Sequence, residues 1–313
     1  YLKASKYIQN TKIKVAFVST NSISQGEQVG ILWKELFSNY GIKIHFAHQT
    51  FNWSNEAKSN AAVHVVIIGF AQFDSTNKRI FEYENIKSNA HEKSAKNINA
   101  YLVEGDDIVI EKRRKPLCNV LNIIKGNYYA KSEGLIIEEK DLDYLVKNEP
   151  NAKKWIKLLI GADEFINNRK RYCLWLVDCP PDELRKMPLV MERVNRVRED
   201  RLKSTDKGMQ NLAPIRFRET NNPDKCIVIP VVSSEKRPYI PIGFIDKNTI
   251  STNGNLIIPN GDLFLFGQLT SVMHMAWVKY TCGRLKSDYR YSKDLVYNNY
   301  PFPKNVSEKQ KKA

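Results

Sequence analysis

The stretch "IKVAFVSTNSISQGEQVGILWKELF", residues 13–37, shows how the first part of the chain folds. Its apolar start predicts a β-strand, and the polar residues that follow predict a turn. From Gly26 to Asn39, apolar side chains recur at the 3.6-residue spacing of an amphipathic helix. Gly41 follows, and glycine is the residue most common just beyond the last helical turn. The order strand, turn, helix is the repeating unit of an α/β sheet.

The turn in this unit contains one glycine, Gly26, whereas loops that cradle dinucleotides or phosphates contain several. In an open α/β sheet, the ligand crevice lies beyond the carboxyl ends of the strands. The polar side chains expected to face such a crevice are Ser19, Thr20, Asn21 and Ser22. The alternative is an ordinary capped loop, with Ser24 near the helix N-cap.

Two further apolar runs, at 42–51 and 61–70, predict strands, and the second is apolar enough for burial on both faces. Residues 1–85 are therefore interpreted as part of a doubly wound sheet. Phe51 and Trp53 stand at the end of the first of these runs. Aromatic side chains at a crevice rim can stack on a base, and the alternative is that both belong to the core.

The composition and the apolar pattern of the sequence change after residue 85. Residues 86–100 are polar without apolar periodicity and are interpreted as a linker, and 101–113 predicts a hairpin around Gly105 and Asp106. The later segments alternate short apolar runs with longer helical patterns. Helices are expected at 141–161 (interrupted at Pro150), 188–205 and 262–283, strands at 171–178, 226–234, 239–245 and 255–259, and a solvated tail at 307–313.

The chain of 313 residues carries 49 Lys and Arg against 34 Asp and Glu, a net charge of +15 and a pI near 9.4. Such an excess favours a polyanionic partner, nucleic acid first and an anionic membrane surface second, and the alternative is simply a basic solvated surface. The longest apolar runs fall short of the roughly 18 residues of a membrane span. The five cysteines lack C-x-x-C spacing, so we expect reduced thiols in the cytoplasm and no structural zinc.

Two basic segments are candidates for contact with a polyanion. The predicted helix at 188–205 carries Arg193, Arg196, Arg201 and Lys203, which form either a solvated face or phosphate contacts. In "CGRLKSDYRYS", alternation places Lys286, Asp288 and Arg290 on one face of an extended segment. Lysine and arginine donate to guanine and a carboxylate accepts from cytosine, so this row can read base edges. The alternative is a strip of surface ion pairs.

The stretch "DCPPDE", residues 178–183, differs from the D/N-P-P-Y/F motif of amino-group methyltransferases, because Cys179 intervenes and no aromatic residue follows Pro181. It is interpreted as a turn.

Seven blocks of the sequence, in order, resemble the MmeI-like family of DNA adenine-N6 methyltransferases, which are often fused to a nuclease in type IIG restriction–modification enzymes. The blocks are "FVSTNSISQGEQVGILW", "FAHQTFNWSNEAKSNAAVHVVIIGF", "RKPLC", "NRKRYCLWL", "SSEKRPYIPIGF", "LTSVMHMAWVKYTCGRLKSDYRYS" and "VYNNYPFP". The resemblance implies a mixed fold. A partial Rossmann-like class I methyltransferase sheet at 1–85 would be followed by the linker, a mixed α+β target-recognition domain at 101–295, and the start of a carboxyl-terminal region at 296–313.

The resemblance also implies the ligands and their sites. The intact enzyme would use S-adenosylmethionine on duplex DNA, while the cofactor glycines and the N-P-P-Y/F motif would precede Tyr1, so the chain alone is expected to be inactive. Phe51 matches the position that stacks on a flipped adenine, with Trp53 as second choice and Asn21 in the same pocket. The implied DNA contacts are Asn253, Gly254, Lys286, Asp288 and Arg290, to which the basic residues Arg237 and Arg196 are added. A recognition module without catalysis and an RNA methyltransferase stay open as alternatives.

Overall fold

In the computed structural model, which describes residues 1–53, 63–304 and 306–312, the strand and helix predicted within 13–37 are both present. The strand is Val15–Thr20, and the helix is Glu27–Tyr40. Gly41 ends the helix in the left-handed region, with φ of 58°, which confirms its role beyond the last turn. The parts of the predicted strands and blocks that fall on 54–62 lie outside the described residues.

The remaining elements alternate along the chain. The helices are α1 (Leu2–Tyr7), α2 (Glu27–Tyr40), α3 (Glu139–Asn148), α4 (Ala162–Asn167), α5 (Pro181–Leu184), α6 (Pro188–Leu202), α7 (Lys207–Gln210), α8 (Leu263–Leu269), α9 (Val272–Thr281) and α10 (Glu308–Lys312). The strands are β1 (Val15–Thr20), β2 (Lys43–Trp53), β3 (Val63–Ala71), β4 (Lys78–Glu82), β5 (His91–Ala95), β6 (Ile124–Lys125), β7 (Ile136–Glu138), β8 (Ile156–Ile160), β9 (Arg171–Leu174), β10 (Lys225–Pro230), β11 (Val232–Ser233), β12 (Gly243–Asp246), β13 (Thr249–Ser251), β14 (Asn255–Pro259), β15 (Gly283–Leu285) and β16 (Asp288–Arg290).

The chain divides into two units by its internal contacts. Unit 1 comprises Tyr1–Cys118, Ser234–Lys236 and Ala276–Pro301. Unit 2 comprises Asn119–Ser233, Arg237–Met275 and Phe302 onward.

The sheet of unit 1 has the strand order β1-β3-β2-β4-β5. β3 is antiparallel to both β1 and β2, and β2 is parallel to β4, so β1, β2 and β4 run in the same direction. Their carboxyl ends therefore meet at one edge of the sheet. The α/β class is confirmed, although most neighbouring strands are antiparallel rather than parallel as a doubly wound sheet suggests.

One face of α2 closes the core of unit 1. Val29, Trp33 and Leu36 are fully buried and pack with apolar residues of β2, β3 and β4, such as Ile44 and Ile68. β3 is buried along most of its length, as its apolar run predicts. Burying side chains of this size stabilises the unit by about 1.5–3 kcal/mol each.

In the described part of the chain, β1 is one of the two edge strands of this sheet, and it is unusually apolar for an edge. Phe17 and Val18 are 36% and 49% exposed, while their main chain pairs with Ile68 and Ile67 of β3 on one side. An apolar edge strand is a surface on which further strands can add.

Two segments of unit 1 differ from the sequence-based expectation. The interval 86–100, interpreted as a linker, contains β5, which pairs with β4 from Glu82↔His91 to Lys78↔Ala95. The hairpin predicted at 101–113 does not form. The Asn97 carboxamide donates to the Gly105 carbonyl, and Asn99 accepts from the Tyr101 amide, so side chains occupy the groups that a strand ladder would need.

Unit 2 contains two four-stranded sheets, with orders β12-β10-β14-β6 and β13-β8-β9-β7. Its main core lies under α6, where Val190, Val194 and Val197 pack with Leu174 and Leu176. The mixed α+β architecture expected for this part is confirmed. The expected helix at 141–161 ends early, because Ile156–Ile160 pairs as β8 with β9 and β13.

The last expected helix and the tail also differ from the prediction. The helix at 262–283 is broken between Leu269 and Val272 into α8 and α9. The tail contains the short helix α10.

Candidate nucleic-acid interface

A cleft of about 720 Å³ opens in unit 1, beyond the carboxyl ends of β1, β2 and β4. The turn after β1 contributes Asn21, Ser24 and Gln25, the end of β2 contributes Gln49 and Thr50, and the chain after β4 contributes 83–87. The position agrees with the rule that ligands bind where strands of an open sheet end.

The turn after β1 is held by hydrogen bonds to side chains of unit 1. The buried Trp33 indole donates to the Ile23 carbonyl at 2.8 Å, and the Ser24 hydroxyl donates to the Asn21 carbonyl at 3.0 Å. The Asn21 carboxamide lies 3.5 Å from the Thr50 hydroxyl. Of the four side chains predicted to face the crevice, Asn21 lines the cleft, whereas Ser19 bonds the Tyr1 hydroxyl. Gly26, not Ser24, caps the helix.

Gly26 has a structural task in this turn. Its φ is +60°, and a Cβ there would lie 2.9 Å from the Gly283 Cα. The single glycine of the turn thus permits a close approach of two main chains, which a side chain would prevent.

Five aromatic rings, counting the His48 imidazole, form a chain of contacts at the ends of β2 and β4. His48 stacks on Phe81 with ring centroids 4.1 Å apart and planes 5° apart. The Tyr83 hydroxyl lies 2.8 Å from His48 Nδ1, and the Tyr83 ring stacks on Phe51 at 5.1 Å. Phe51 and Trp53 are 6.3 Å apart, and neither is among the side chains that line the cleft, whereas Tyr83 is.

Burial sets the protonation of the two polar rings in this chain of contacts. It lowers the pKa of His48 and raises the pKa of Tyr83. His48 is therefore neutral and the Tyr83 hydroxyl keeps its proton at pH 7, so the hydroxyl is able to donate to Nδ1. Sequence reasoning missed both residues, although for Tyr83 the two aromatic residues of "IFEYE", which spans the end of β4, were a usable signal.

The rim of the cleft is cationic. Lys87, Lys236, Lys279 and Arg284 line it, against Glu84 and Glu235. The three lysines are exposed, and the Arg284 guanidinium lies 3.8 Å over the Tyr289 ring. An aromatic wall beneath a cationic rim suits a ligand with a flat base and a negative phosphate.

The strip Lys286, Asp288 and Arg290 is part of unit 1 and is not a single extended segment. β15 and β16 form a hairpin in which Leu285 pairs with Asp288, and Lys286 stands in the turn with φ of 58°. The extended-segment prediction is wrong for Lys286, because the chain reverses there. Asp288 and Arg290 do share a face of β16. Arg290 is exposed, while Asp288 accepts a hydrogen bond from the Glu235 amide at 3.3 Å.

In unit 2, Asn253 and Gly254 form the turn between β13 and β14. The Asn253 amide donates to the carbonyl of the buried Asn127 at 3.0 Å, and the Gly254 carbonyl accepts from Val231 at 2.9 Å. The main chain of the turn is thus engaged within unit 2, and the Asn253 side chain is its half-exposed part.

The arginines of α6 divide into two kinds. Arg201 is 1% exposed and its guanidinium bonds five oxygens around it, so it holds unit 2 together rather than facing a polyanion. Arg193 donates to the carbonyls of Gly134 and Ile136. Arg196 and Arg237 are exposed, and Arg196 lies 3.4 Å from Glu192. Lys203 is exposed and lies 3.9 Å from Asp200.

The described residues contain neither a metal cluster nor a membrane-spanning helix. No cluster of three His, Cys, Asp or Glu side chains there is arranged to hold a metal ion. None of the described helices combines the length and apolar character needed to cross a membrane.

Comparison with known families covers almost the whole chain. Residues 1–82 match the model "MmeI, DNA-methyltransferase domain", and residues 104–304 match "MmeI, target recognition domain". The chain belongs to the MmeI family. Residues 276–301 fall within the recognition-domain match of this MmeI-family chain, yet their contacts place them in unit 1 with the methyltransferase sheet.

Two relatives illustrate the match to the MmeI family. "DNA methyltransferase A" of Bacillus subtilis (strain 168) is 44% identical over 303 residues, which are 96% of this chain and 34% of that protein. A solved structure of the type IIL restriction–modification enzyme MmeI in complex with DNA is 46% identical, with a TM-score of 0.90, and covers 100% of this chain and 42% of that one. The chain thus spans roughly a third to two fifths of the length of these relatives.

Proposed function

We propose that this chain is the carboxyl-terminal part of an S-adenosylmethionine-dependent DNA adenine-N6 methyltransferase of a restriction–modification system. Its partner would be duplex DNA, and its location the cytoplasm, where that DNA is found. The apolar edge strand β1, with Phe17 and Val18 exposed, supports the view that further strands complete the sheet. A nuclease fused upstream stays a prediction, tested by whether the intact protein cleaves DNA with Mg²⁺.

The cleft of unit 1 is the observation that carries the proposal. The amino group of adenine cannot be reached inside a stacked duplex, so the enzyme must receive the base in a pocket. The cleft offers the aromatic ring of Tyr83 just after β4, a carboxamide at Asn21, and four cations at its rim. In this proposal, Phe51 supports the flipped base, with Trp53 as second choice, and Asn21 contacts the base edge.

The cofactor site would be incomplete in this chain. S-adenosylmethionine supplies an activated methyl group, and its glycine-rich loop and the N-P-P-Y/F motif are not present in the sequence. Gly26, the single glycine of the turn after β1, packs closely against the main chain of Gly283, so it is not available to approach a cofactor. The residues present therefore do not fit the complete cofactor, and this chain contributes base reception and DNA reading.

Reading of the duplex is assigned to exposed or half-exposed polar side chains of both units, with Gly254 as the neighbour of Asn253. In unit 1, Arg290 and Lys286 project donors from the hairpin, and Asp288 offers an acceptor from the same strand as Arg290. In unit 2, Asn253 with Gly254 would contact base edges, while Arg196 and Arg237 contact phosphates. Bidentate base contacts discriminate by about 1–3 kcal/mol each, and phosphate contacts act equally on all sequences.

Methyl transfer to DNA tests the proposal. The chain alone, and the chain joined to the upstream residues of its natural protein, are each incubated with radiolabelled S-adenosylmethionine and duplex DNA, and the product nucleoside is identified by mass spectrometry. We expect N6-methyladenine from the longer protein and no transfer from the chain alone. A methylated cytosine would overturn the adenine assignment, and transfer by the chain alone would show that its cofactor site is complete.

A non-catalytic recognition module is the second candidate, because the sequence combines candidate base-reading residues with the absence of the cofactor motifs. It predicts salt-dependent binding of duplex DNA and no methylation by the longer protein. Competition by RNA as effective as that by duplex DNA would favour an RNA substrate instead.

A further inference from the structure

Four tyrosines line the cleft, namely Tyr83, Tyr101, Tyr280 and Tyr289, whereas Phe51 and Trp53, which the sequence singles out, do not. Of the four, Tyr83 is the one whose ring stacks on Phe51. Tyr83 follows β4 directly, and its ring packs on Phe51 with planes 21° apart. Phe51 is not among the residues that line the cleft, so within this stacked pair the ring that a base in the cleft can contact is that of Tyr83.

Tyr83 is fixed in this orientation from two directions. The Phe51 ring supports it at a centroid distance of 5.1 Å, and His48 Nδ1 lies 2.8 Å from its hydroxyl. His48 is itself held parallel to Phe81, at 4.1 Å, across the paired strands β2 and β4. A stacking surface must be held rigidly to contribute to binding, since ordering it on binding costs affinity.

The chain around Tyr83 is also tied to the cleft. The Asn52 amide donates to the Ile86 carbonyl at 2.8 Å, which joins the end of β2 to the segment after Tyr83. Lys87 of that segment lines the same cleft. One short stretch thus places an aromatic face and a cation together, as recognition of a nucleotide requires.

We propose that Tyr83 is the side chain on which the extruded adenine stacks, and that His48 positions it through the hydroxyl. This inference rests on the proposed function, because it names the base-contacting surface of the same cleft. Phe51 then acts mainly as the layer behind Tyr83.

Photo-crosslinking of the wild-type protein tests the contact directly. The target adenine is first located by mapping N6-methyladenine in DNA from cells that express the intact protein. That adenine is then replaced with 5-iodouracil in a duplex, the complex is irradiated, and the modified peptide is sequenced. We expect the adduct at Tyr83. An adduct at Phe51 or Trp53 without one at Tyr83 overturns the inference and leaves the proposed function standing. No methylated adenine, or no adduct despite site-specific binding, overturns both.

Variants separate contact from positioning. Tyr83→Ala should reduce methylation by about ten- to a hundred-fold, the range expected from loss of one stacked base. Tyr83→Phe keeps the ring and loses the hydrogen bond to His48, so its loss should be only several-fold. Tyr7→Ala is the matched control, because Tyr7 is 78% exposed in the same unit.

The positioning role of His48 is measured as a coupling. His48→Phe keeps a ring against Phe81 but removes the hydrogen bond to the Tyr83 hydroxyl. In the protein with Tyr83 it should lower the adduct yield several-fold. In the Tyr83→Phe protein it should cause no further loss, because that hydrogen bond is already absent. Equal losses in both backgrounds would show that His48 acts through general packing.

Discussion

The substitution Arg201→Met tests whether the buried Arg201 of α6 stabilises the fold, in contrast to the exposed arginines of the same helix. Arg201 is 1% exposed, and its guanidinium donates to the carbonyls of Lys131, Leu212, Ala213 and Arg216 and to the Ser132 hydroxyl. Burial lowers the pKa of this guanidinium from its ordinary value, but an arginine stays charged throughout the neutral range. Methionine approximates the length of the side chain and supplies none of the donors.

The magnitude follows from the oxygens that lose their donor. Each buried acceptor left unpaired costs about 1–3 kcal/mol, so five set an upper range of about 5–15 kcal/mol. Removing the guanidinium also removes its own desolvation, several kcal/mol in the opposite direction. The expected net loss in the free energy of unfolding is about 3–5 kcal/mol, within the range that breaking a buried ionic network produces.

Urea unfolding followed by circular dichroism measures this loss. The matched control is Arg196→Met on the same helix, where the guanidinium is exposed and its ion pair with Glu192 contributes little. We expect the control to stay within about 0.5 kcal/mol of the wild type. A loss in the free energy of unfolding below 1 kcal/mol for Arg201→Met, or equal losses for both variants, would refute the conclusion that Arg201 is structural and Arg196 is not.

Four further outcomes are expected. Gly26→Ala should lower the free energy of unfolding by about 2–4 kcal/mol in thermal melts, because φ is +60° and the new Cβ would lie 2.9 Å from the Gly283 Cα; an unchanged midpoint would contradict this. Burial lowers the pKa of His274 to about 4, below the unfolded value near 6.5. The contribution of neutral His274 to the free energy of unfolding is therefore complete above pH 6.5 and falls as the pH drops towards 4, by at most about 1.4 kcal/mol per pH unit. The free energies of unfolding of the wild type and His274→Gln should change differently with pH between 6.5 and 4, and an identical pH dependence would contradict this. Arg290→Ala should relax specificity at one base pair by about 1–3 kcal/mol in binding assays, whereas uniform weakening would identify a phosphate contact. Phe51→Ala in the intact enzyme should reduce methylation more than DNA binding, and an unchanged rate would show that Phe51 does not support the flipped base.

The parts of the fold that sequence predicted well are those where local signals agree with burial. α2 combines apolar periodicity, a glycine beyond its last turn and a buried Trp33, and its position was predicted within a residue. β3 is almost continuously apolar and is buried as expected.

The parts that sequence missed depend on partners distant in the chain. β5 is polar and mostly exposed, so its only signal is the main-chain pairing with β4. β8 continues an apparent helix, but β9 and β13 recruit it into a sheet. Periodicity reports one chain segment at a time and does not contain these pairings.

The position of the cleft could be predicted from sequence, whereas the roles of its side chains stay predictions. The rule on strand ends needs only the order of the elements, and Asn21, which follows β1, does line the cleft. Tyr83 and His48 escaped notice because their importance arises from contacts between β2 and β4. Arg201 was grouped with the exposed arginines, since helical spacing alone does not distinguish a buried guanidinium.

The most direct measurement is a structure of the intact protein on a duplex that contains its methylated site, with the target adenine unmodified. The proposal predicts that this adenine is rotated out of the helix and lies in the cleft beside Tyr83 and Asn21, with Arg290 at a base edge. An adenine still paired within the helix, or extruded to a different surface, would contradict the account.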